Sequence, residues 1–200
     1  MYKRFLLAVA FILISAALAS AQTTGQTFER YNRWMVGGEL LKRYNEDFGW
    51  GATGIYGRQF SEIIFLGIGV GVETHVRKDA PSSITIEKDG KTIERIFPQY
   101  KWMLSIPLYA DLQINFSHSA NPFYAEIKAG LFADYKIFRV RGTESYNKIS
   151  EGGSGIISGF AFGKRFALNN GDQLNISLGA NCYLGAGPEV SAGLGITYGF

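Results

Sequence analysis

Glu189-Val190-Ser191-Ala192-Gly193-Leu194-Gly195-Ile196-Thr197-Tyr198-Gly199-Phe200 is the stretch that decides the fold. Val190, Ala192, Leu194, Ile196, Tyr198 and Phe200 share one face of an extended chain, and Ser191, Gly193, Gly195, Thr197 and Gly199 share the other, because side chains alternate across a strand. A helical period fits none of this. The segment before it repeats the pattern, with Leu174, Ile176, Leu178, Ala180, Cys182 and Leu184 set against Asn175, Ser177, Gly179, Asn181 and Tyr183. Further back, Phe123, Ala125, Ile127, Ala129, Leu131, Ala133, Tyr135 and Ile137 alternate with Tyr124, Glu126, Lys128, Gly130, Phe132, Asp134 and Lys136. Turn residues and the same period divide the chain into eight segments, at about 31–41, 49–60, 63–76, 99–116, 123–140, 155–166, 173–185 and 189–200.

Composition narrows the class. The 200 residues are 46% hydrophobic, 14% aromatic and 18% charged, which excludes intrinsic disorder, and the charged share is low for a water-soluble domain. Lys3 and Arg4 precede an uncharged apolar run over 5–18 and then Ala19-Ser20-Ala21, the pattern of a secretory leader. The expected organisation is a cleaved signal over 1–21, a periplasmic N-terminal segment over 22–30 and one barrel domain over 31–200. Without Lys3 and Arg4 the net charge of +3 nearly vanishes, so the sequence carries no nucleic-acid footprint. The single cysteine, Cys182, allows no intramolecular disulfide and no multi-thiolate metal site, and no cofactor is expected.

Alternation alone does not say which face meets water, since a soluble barrel around an apolar pocket and a membrane barrel with a polar interior share it. Three features favour the second. Aromatics on the apolar face gather at strand ends: Trp34, Phe60, Phe116, Phe123, Phe166, Tyr198 and Phe200 at one end, Trp50, Tyr100, Trp102 and Tyr135 at the other. Short connections alternate with a long one over 77–98 and a medium one over 141–154, the latter polar, glycine-rich and expected to be mobile. The polar face carries few charges, of both signs. With these features, the leader and a last strand ending Ile196-Thr197-Tyr198-Gly199-Phe200, the chain resembles the small OmpA/OmpX-like outer-membrane β-barrels, the outer membrane protein β-barrel domain group. The resemblance implies an eight-stranded antiparallel transmembrane meander in the outer membrane of a Gram-negative-type cell, with both termini periplasmic. It also implies that Ile196, Tyr198 and Phe200 are read as an assembly signal by the barrel-insertion machinery.

An eight-stranded barrel is just wide enough for its inward side chains to fill it. Met35, Phe65, Met103, Tyr109, Tyr124, Phe132 and Tyr183 are expected to occupy space left by inward glycines such as Gly67, Gly69 and Gly193. Glu39, Glu73, Asp111, Glu126 and Asp134 are expected to pair with Lys101, Lys128, Lys136 and Arg165, since unpaired buried charge is costly. Pro107 is expected to leave a local unpaired position in its strand without shifting the phase. The preferred function is an integral, monomeric outer-membrane protein of structural or surface-interaction role, with lipid as its surroundings. A narrow channel, a lipid-modifying barrel enzyme and a soluble secreted barrel binding an apolar ligand stay open. Catalysis would rest on His75, near the outer strand end on Glu73's face, with Ser82 or Ser83 in the following loop; solvation of His75 at the rim is the simpler expectation, as a turn role is for His118. In the long connection, Lys88-Asp89-Gly90-Lys91 lies between β-forming runs and predicts an extracellular hairpin, a candidate surface for a partner through 77–98.

Overall fold

The computed structural model describes residues 29–43, 48–76, 83–88, 91–96, 99–141, 146–168, 171–185 and 188–200, and the side chains of 83–88, 91–96, 99–101, 136–141 and 146–151 are outside that description. The expected leader and most of the segment after it thus lie outside the described residues. The strands are β1 (Tyr31–Arg43), β2 (Phe48–Gln59), β3 (Ile64–Val76), β4 (Ser83–Lys88), β5 (Lys91–Ile96), β6 (Gln99–Asn115), β7 (Phe123–Arg141), β8 (Tyr146–Ala167), β9 (Gln173–Leu184) and β10 (Pro188–Gly199). Eight of them close an all-antiparallel meander barrel in the order β1-β10-β9-β8-β7-β6-β3-β2, and β4 and β5 form a separate two-stranded sheet. Closure leaves the barrel with no edge strand, each of the eight having a partner on both sides. At the seam, the Trp34 amide donates to the Phe200 carbonyl at 3.0 Å and the Phe200 amide to the Trp34 carbonyl at 2.9 Å.

The alternation read from the sequence becomes an outward apolar surface and an inward, largely polar bore. Ile68 and Leu178 are each 66% exposed on the outer face, whereas Met35, Phe65 and Met103 are fully buried on the inner one. A water-soluble fold does the reverse with its large apolar residues. Outward rings cluster at the end carrying the termini, where Trp34 and Tyr56 lie 4.6 Å apart and Phe162 stacks on Phe123 and Phe116 at 5.6 and 5.9 Å. Lys164 is outward there too, its ammonium 4.2 Å above the Phe123 ring and donating to the Asn121 carbonyl. Its aliphatic stem covers apolar surface while its charge reaches the turn. The opposite end carries outward Phe48, Trp50 and Tyr135.

Glycines on the inner face set where large side chains fit. A Cβ on Gly69 would lie 2.4 Å from the Tyr109 ring, and one on Gly130 would lie 2.0 Å from the Leu108 carbonyl oxygen and 2.5 Å from the Tyr109 Cα. The second clash is with backbone across the β6–β7 ladder, which cannot rotate away. Gly130→Ala is expected to cost about 1–3 kcal/mol, through the strand shift that overpacking forces. Urea unfolding of the refolded barrel measures it, and a change within about 0.3 kcal/mol of zero would contradict the account.

Two irregularities occur in β6. The β3–β6 ladder pairs Val70 with Leu108 and resumes at Glu73 with Ser105, so pairing lapses opposite Pro107 while the register is unchanged. Pro107 has no amide hydrogen to give, and the phase survives as the sequence suggested. Nearer the start of the strand the β6–β7 register slips between Tyr100 and Trp102. Lys101 is the extra residue, so the strict alternation that placed it with the inward cations stops at Trp102.

The largest difference from the sequence reading lies in β7 and β8. They run for 19 and 22 residues and stay paired up to Arg141 opposite Tyr146, so most of the stretch expected to be a mobile loop over 141–154 is strand. β9 pairs with β8 only from Ile156 opposite Leu184, and the earlier part of β8 therefore projects beyond it with β7. In the 77–98 connection, β4 and β5 pair from Ser83 opposite Ile96 to Lys88 opposite Lys91, while Asp89 and Gly90 lie outside the described residues.

Candidate functional site

Among the described residues, chemistry-bearing side chains converge in the bore. Glu39 and Lys128 project inward from β1 and β7, and Lys128 Nζ lies 3.1 Å from Glu39 Oε1 and 3.0 Å from Glu126 Oε1. Asp111 pairs directly across the β6–β7 ladder from Lys128, is fully buried, and accepts at 2.9 Å from Gln113 Nε2. Two carboxylates thus contact one ammonium, with Asp111 opposite it in the ladder, and the ammonium also lies 5.2 Å from the Tyr109 ring. The Tyr109 hydroxyl is within 2.5 Å of Thr53 Oγ1.

Toward the end bearing β4 and β5, a second group forms around Glu73. Tyr183 Oη donates to Glu73 Oε2 at 2.6 Å, and Arg43 Nη2 lies 3.7 Å from the same oxygen. Arg43 Nη1 donates to Glu189 at 2.7 Å, and its guanidinium stacks 4.0 Å over the Tyr183 ring. His75 is fully buried with Nε2 4.0 Å from Glu73 Oε2, which corrects the expectation of a solvated rim imidazole. The room for it comes from Gly49, where a Cβ would lie 2.5 Å from Nδ1. Ser82 lies outside the described residues, as does the side chain of Ser83. Because Tyr183 supplies a hydrogen bond to a charged acceptor inside the bore, Tyr183→Phe is expected to cost about 1.5–3 kcal/mol in urea unfolding. No loss would show that Glu73 takes its stabilisation elsewhere.

At the end carrying the termini, Arg165 donates from Nη2 to Gln113 Oε1 at 2.7 Å and from Nε to Asn175 Oδ1 at 3.1 Å. The amide nitrogens of Gln113, Gln173 and Asn175 face the Met35 sulfur at 3.7 to 3.9 Å. Arg33 donates to the Tyr31 hydroxyl and stacks 5.0 Å over its ring.

The nine residues expected to form one ion-pair network are therefore distributed. Glu39, Glu126 and Lys128 meet directly, and Asp111 joins them across the ladder. Glu73 meets Arg43 and Tyr183, and Arg165 meets neutral amides. Asp134 faces inward opposite Ser105 and Gly153, while Lys136 pairs with Met103 and Glu151 in backbone register only, its side chain outside the description, as is that of Lys101. Arg33 and Arg43 were absent from the expectation; Arg43 follows Leu40, Leu41 and Lys42, where two adjacent apolar residues and two adjacent charges hide the period. Ile196 and Tyr198 on β10 and Phe200 just after it all face outward, and Tyr198 donates its hydroxyl hydrogen to Asp172. His118 bridges two turns, its Nδ1 2.6 Å from Glu62 Oε2.

Two cavities, of about 10 and 20 Å³, flank the Glu39–Lys128 pair and share Asn181 as a wall. Each has room for about one water. Among the described residues these gaps beside the Glu39–Lys128 pair are small and partly polar. No protein-family model matches the sequence, and no curated protein matches it. Among solved structures, the chain is similar to Neisserial surface protein A, at 12% identity over 86% of this chain and 98% of that one, with a TM-score of 0.56. The fold is that of a small outer-membrane β-barrel. This barrel is also similar to a major outer membrane protein from Thermus thermophilus, at 14% identity over 85% of this chain and 100% of the other, TM-score 0.51. At these identities the likeness concerns the path of the barrel strands and transfers no side-chain role.

Proposed function

We propose that the protein is an integral outer-membrane β-barrel with a structural or surface-interaction role. The observation that carries this reading is the continuous outward apolar surface, from the Trp34 and Phe200 end through Ile68 and Leu178 to Trp50, around a bore filled by side chains. Left in water, that surface would far exceed the apolar patches monomers tolerate. Lipid covers it at no such cost, and closure satisfies the backbone within the membrane. The leader at the start of the sequence supports export, and Ile196, Tyr198 and Phe200 present the aromatic face on which the insertion machinery would act. The termini lie on the periplasmic side in this reading, which places the β7–β8 ribbon and the β4–β5 hairpin outside the cell. The filled bore speaks against bulk conduction, and the burial of His75 beside Glu73 gives no support to acyl-transfer chemistry.

The test is fractionation of cells expressing the full chain, followed by electrophoresis of unheated and boiled samples. Recovery in the outer membrane with a heat-dependent change in mobility is the expected result. Recovery in the soluble periplasmic fraction would overturn the reading and favour a secreted barrel.

A further inference from the structure

Among the described side chains on the outward face of the eight barrel strands, three are charged, Lys42, Arg58 and Lys164, and all three are cations. Arg58 and Lys164 lie at the end carrying the termini. Lys164 is committed within the protein, to the Asn121 carbonyl and the Phe123 ring. Arg58 is exposed, and among the described residues its side chain has no hydrogen bond, ion pair or ring contact. Glu62, in the turn that follows it, is held by His118 at 2.6 Å.

The ladder fixes what surrounds Arg58. Its partner on β1 is Asn32, also exposed and outward, and its partner on β3 is Leu66. Two residues nearer the barrel middle on the same face, Trp34 pairs with Tyr56, and their rings lie 4.6 Å apart. The polar rung of Asn32 and Arg58 thus lies about 7 Å of strand beyond the aromatic rung. Tryptophan and tyrosine rings settle where acyl chains give way to headgroups, so the next rung toward the barrel end meets phosphate. A guanidinium presents a planar fork of donors that matches phosphate oxygens, and the Asn32 amide supplies a further donor on the neighbouring strand. Among the described residues no carboxylate side chain stands on the outward strand face to receive a headgroup ammonium. A headgroup that carries no cation of its own therefore fits best.

We infer that Arg58 and Asn32, with Trp34 and Tyr56 beside them, form a binding site for the phosphodiester of one anionic phospholipid in the leaflet at the end carrying the termini. The site rests on the lipid-facing reading of the outer wall and names the lipid that this part of the wall selects. Lys164, already engaged by the protein, has no part in it.

The experiment follows Trp34 fluorescence in the full-length protein carrying Trp50→Phe and Trp102→Phe, which leaves Trp34 as its sole tryptophan. The protein is reconstituted into phosphatidylcholine bilayers, and phosphatidylglycerol or phosphatidylcholine with brominated acyl chains is titrated in, so that quenching reports which lipid lies beside the ring. Phosphatidylglycerol is expected to be preferred about fivefold, the size of one cation's attraction to an anionic headgroup. Arg58→Gln should abolish the preference and Lys164→Gln should preserve it. Equal quenching by the two lipids in the parent protein, or a preference unaltered in inserted Arg58→Gln, would overturn the site and leave the lipid-facing reading standing. Equal losses in the two variants would overturn it as well, since the preference would then belong to summed surface charge. Absence of quenching by either lipid would overturn both the site and the reading beneath it. Should Arg58→Gln fail to insert, Arg58→Lys keeps the charge without the fork and is expected to lower the preference; an unchanged value would again overturn the site.

Discussion

Lys128→Met is expected to lower the stability of the folded barrel by about 3–5 kcal/mol, the range found when one member of a buried charge group is removed. The size follows from the company Lys128 keeps. Glu39 and Glu126 both approach its ammonium within 3.1 Å, and Asp111 lies across the ladder with no other described cation in contact. Methionine preserves most of the length and apolar stem, so the loss reports charge rather than volume. Replacing the carboxylates as well, in Lys128→Met/Glu39→Gln/Glu126→Gln, should restore much of the stability, since neutral amides can remain hydrogen-bonded without a cation. Urea unfolding in detergent or lipid measures both. A single variant as stable as the wild type would show that the three carboxylates are satisfied by water entering the bore, and the account of the interior would fail.

Leu178→Arg should be nearly as damaging for the opposite reason. Leu178 is 66% exposed, sits in the middle of β9 and lies between Phe162 and Leu194 in the ladder. If that face meets lipid, an arginine there costs about 2–4 kcal/mol, while Leu168→Arg, beside the turn, costs about 0–1. If the same face met water, both substitutions would fall within about 0.5 kcal/mol of zero. The difference between the two positions is thus more informative than either value. Equal, small effects would contradict a lipid-facing surface.

Much of this fold is written in the period of two. Seven of the eight barrel strands lie within two residues of the boundaries read from the pattern, since the burial of one face and the lipid contact of the other both act on every second residue. β8 is the exception. Its first part, through Ser150-Glu151-Gly152-Gly153-Ser154, has lost the apolar half of the pattern, and a paired ribbon projecting past the barrel needs no apolar face to hold its ladder. The bore was legible in kind and not in detail. Tyr109 against Gly69 follows from small facing large, but the partner of Glu73 does not, because a contact across the barrel depends on how far the strands are staggered, a quantity absent from local pattern. Arg33 gives no signal of its own, because Trp34 and Met35 beside it dominate the local pattern.

The central claim is that the outward face of the barrel lies in lipid, and nitroxide accessibility tests it most directly. With Cys182 replaced by serine, single cysteines at Ile68 and Leu178 would carry spin labels on opposite walls, and one at Ser119 would mark an exposed turn. After reconstitution into bilayers, the account predicts that oxygen relaxes the labels at 68 and 178 strongly while a water-soluble nickel chelate barely reaches them, with the order reversed at 119. Nickel relaxation at 68 and 178 as strong as at 119 would contradict it.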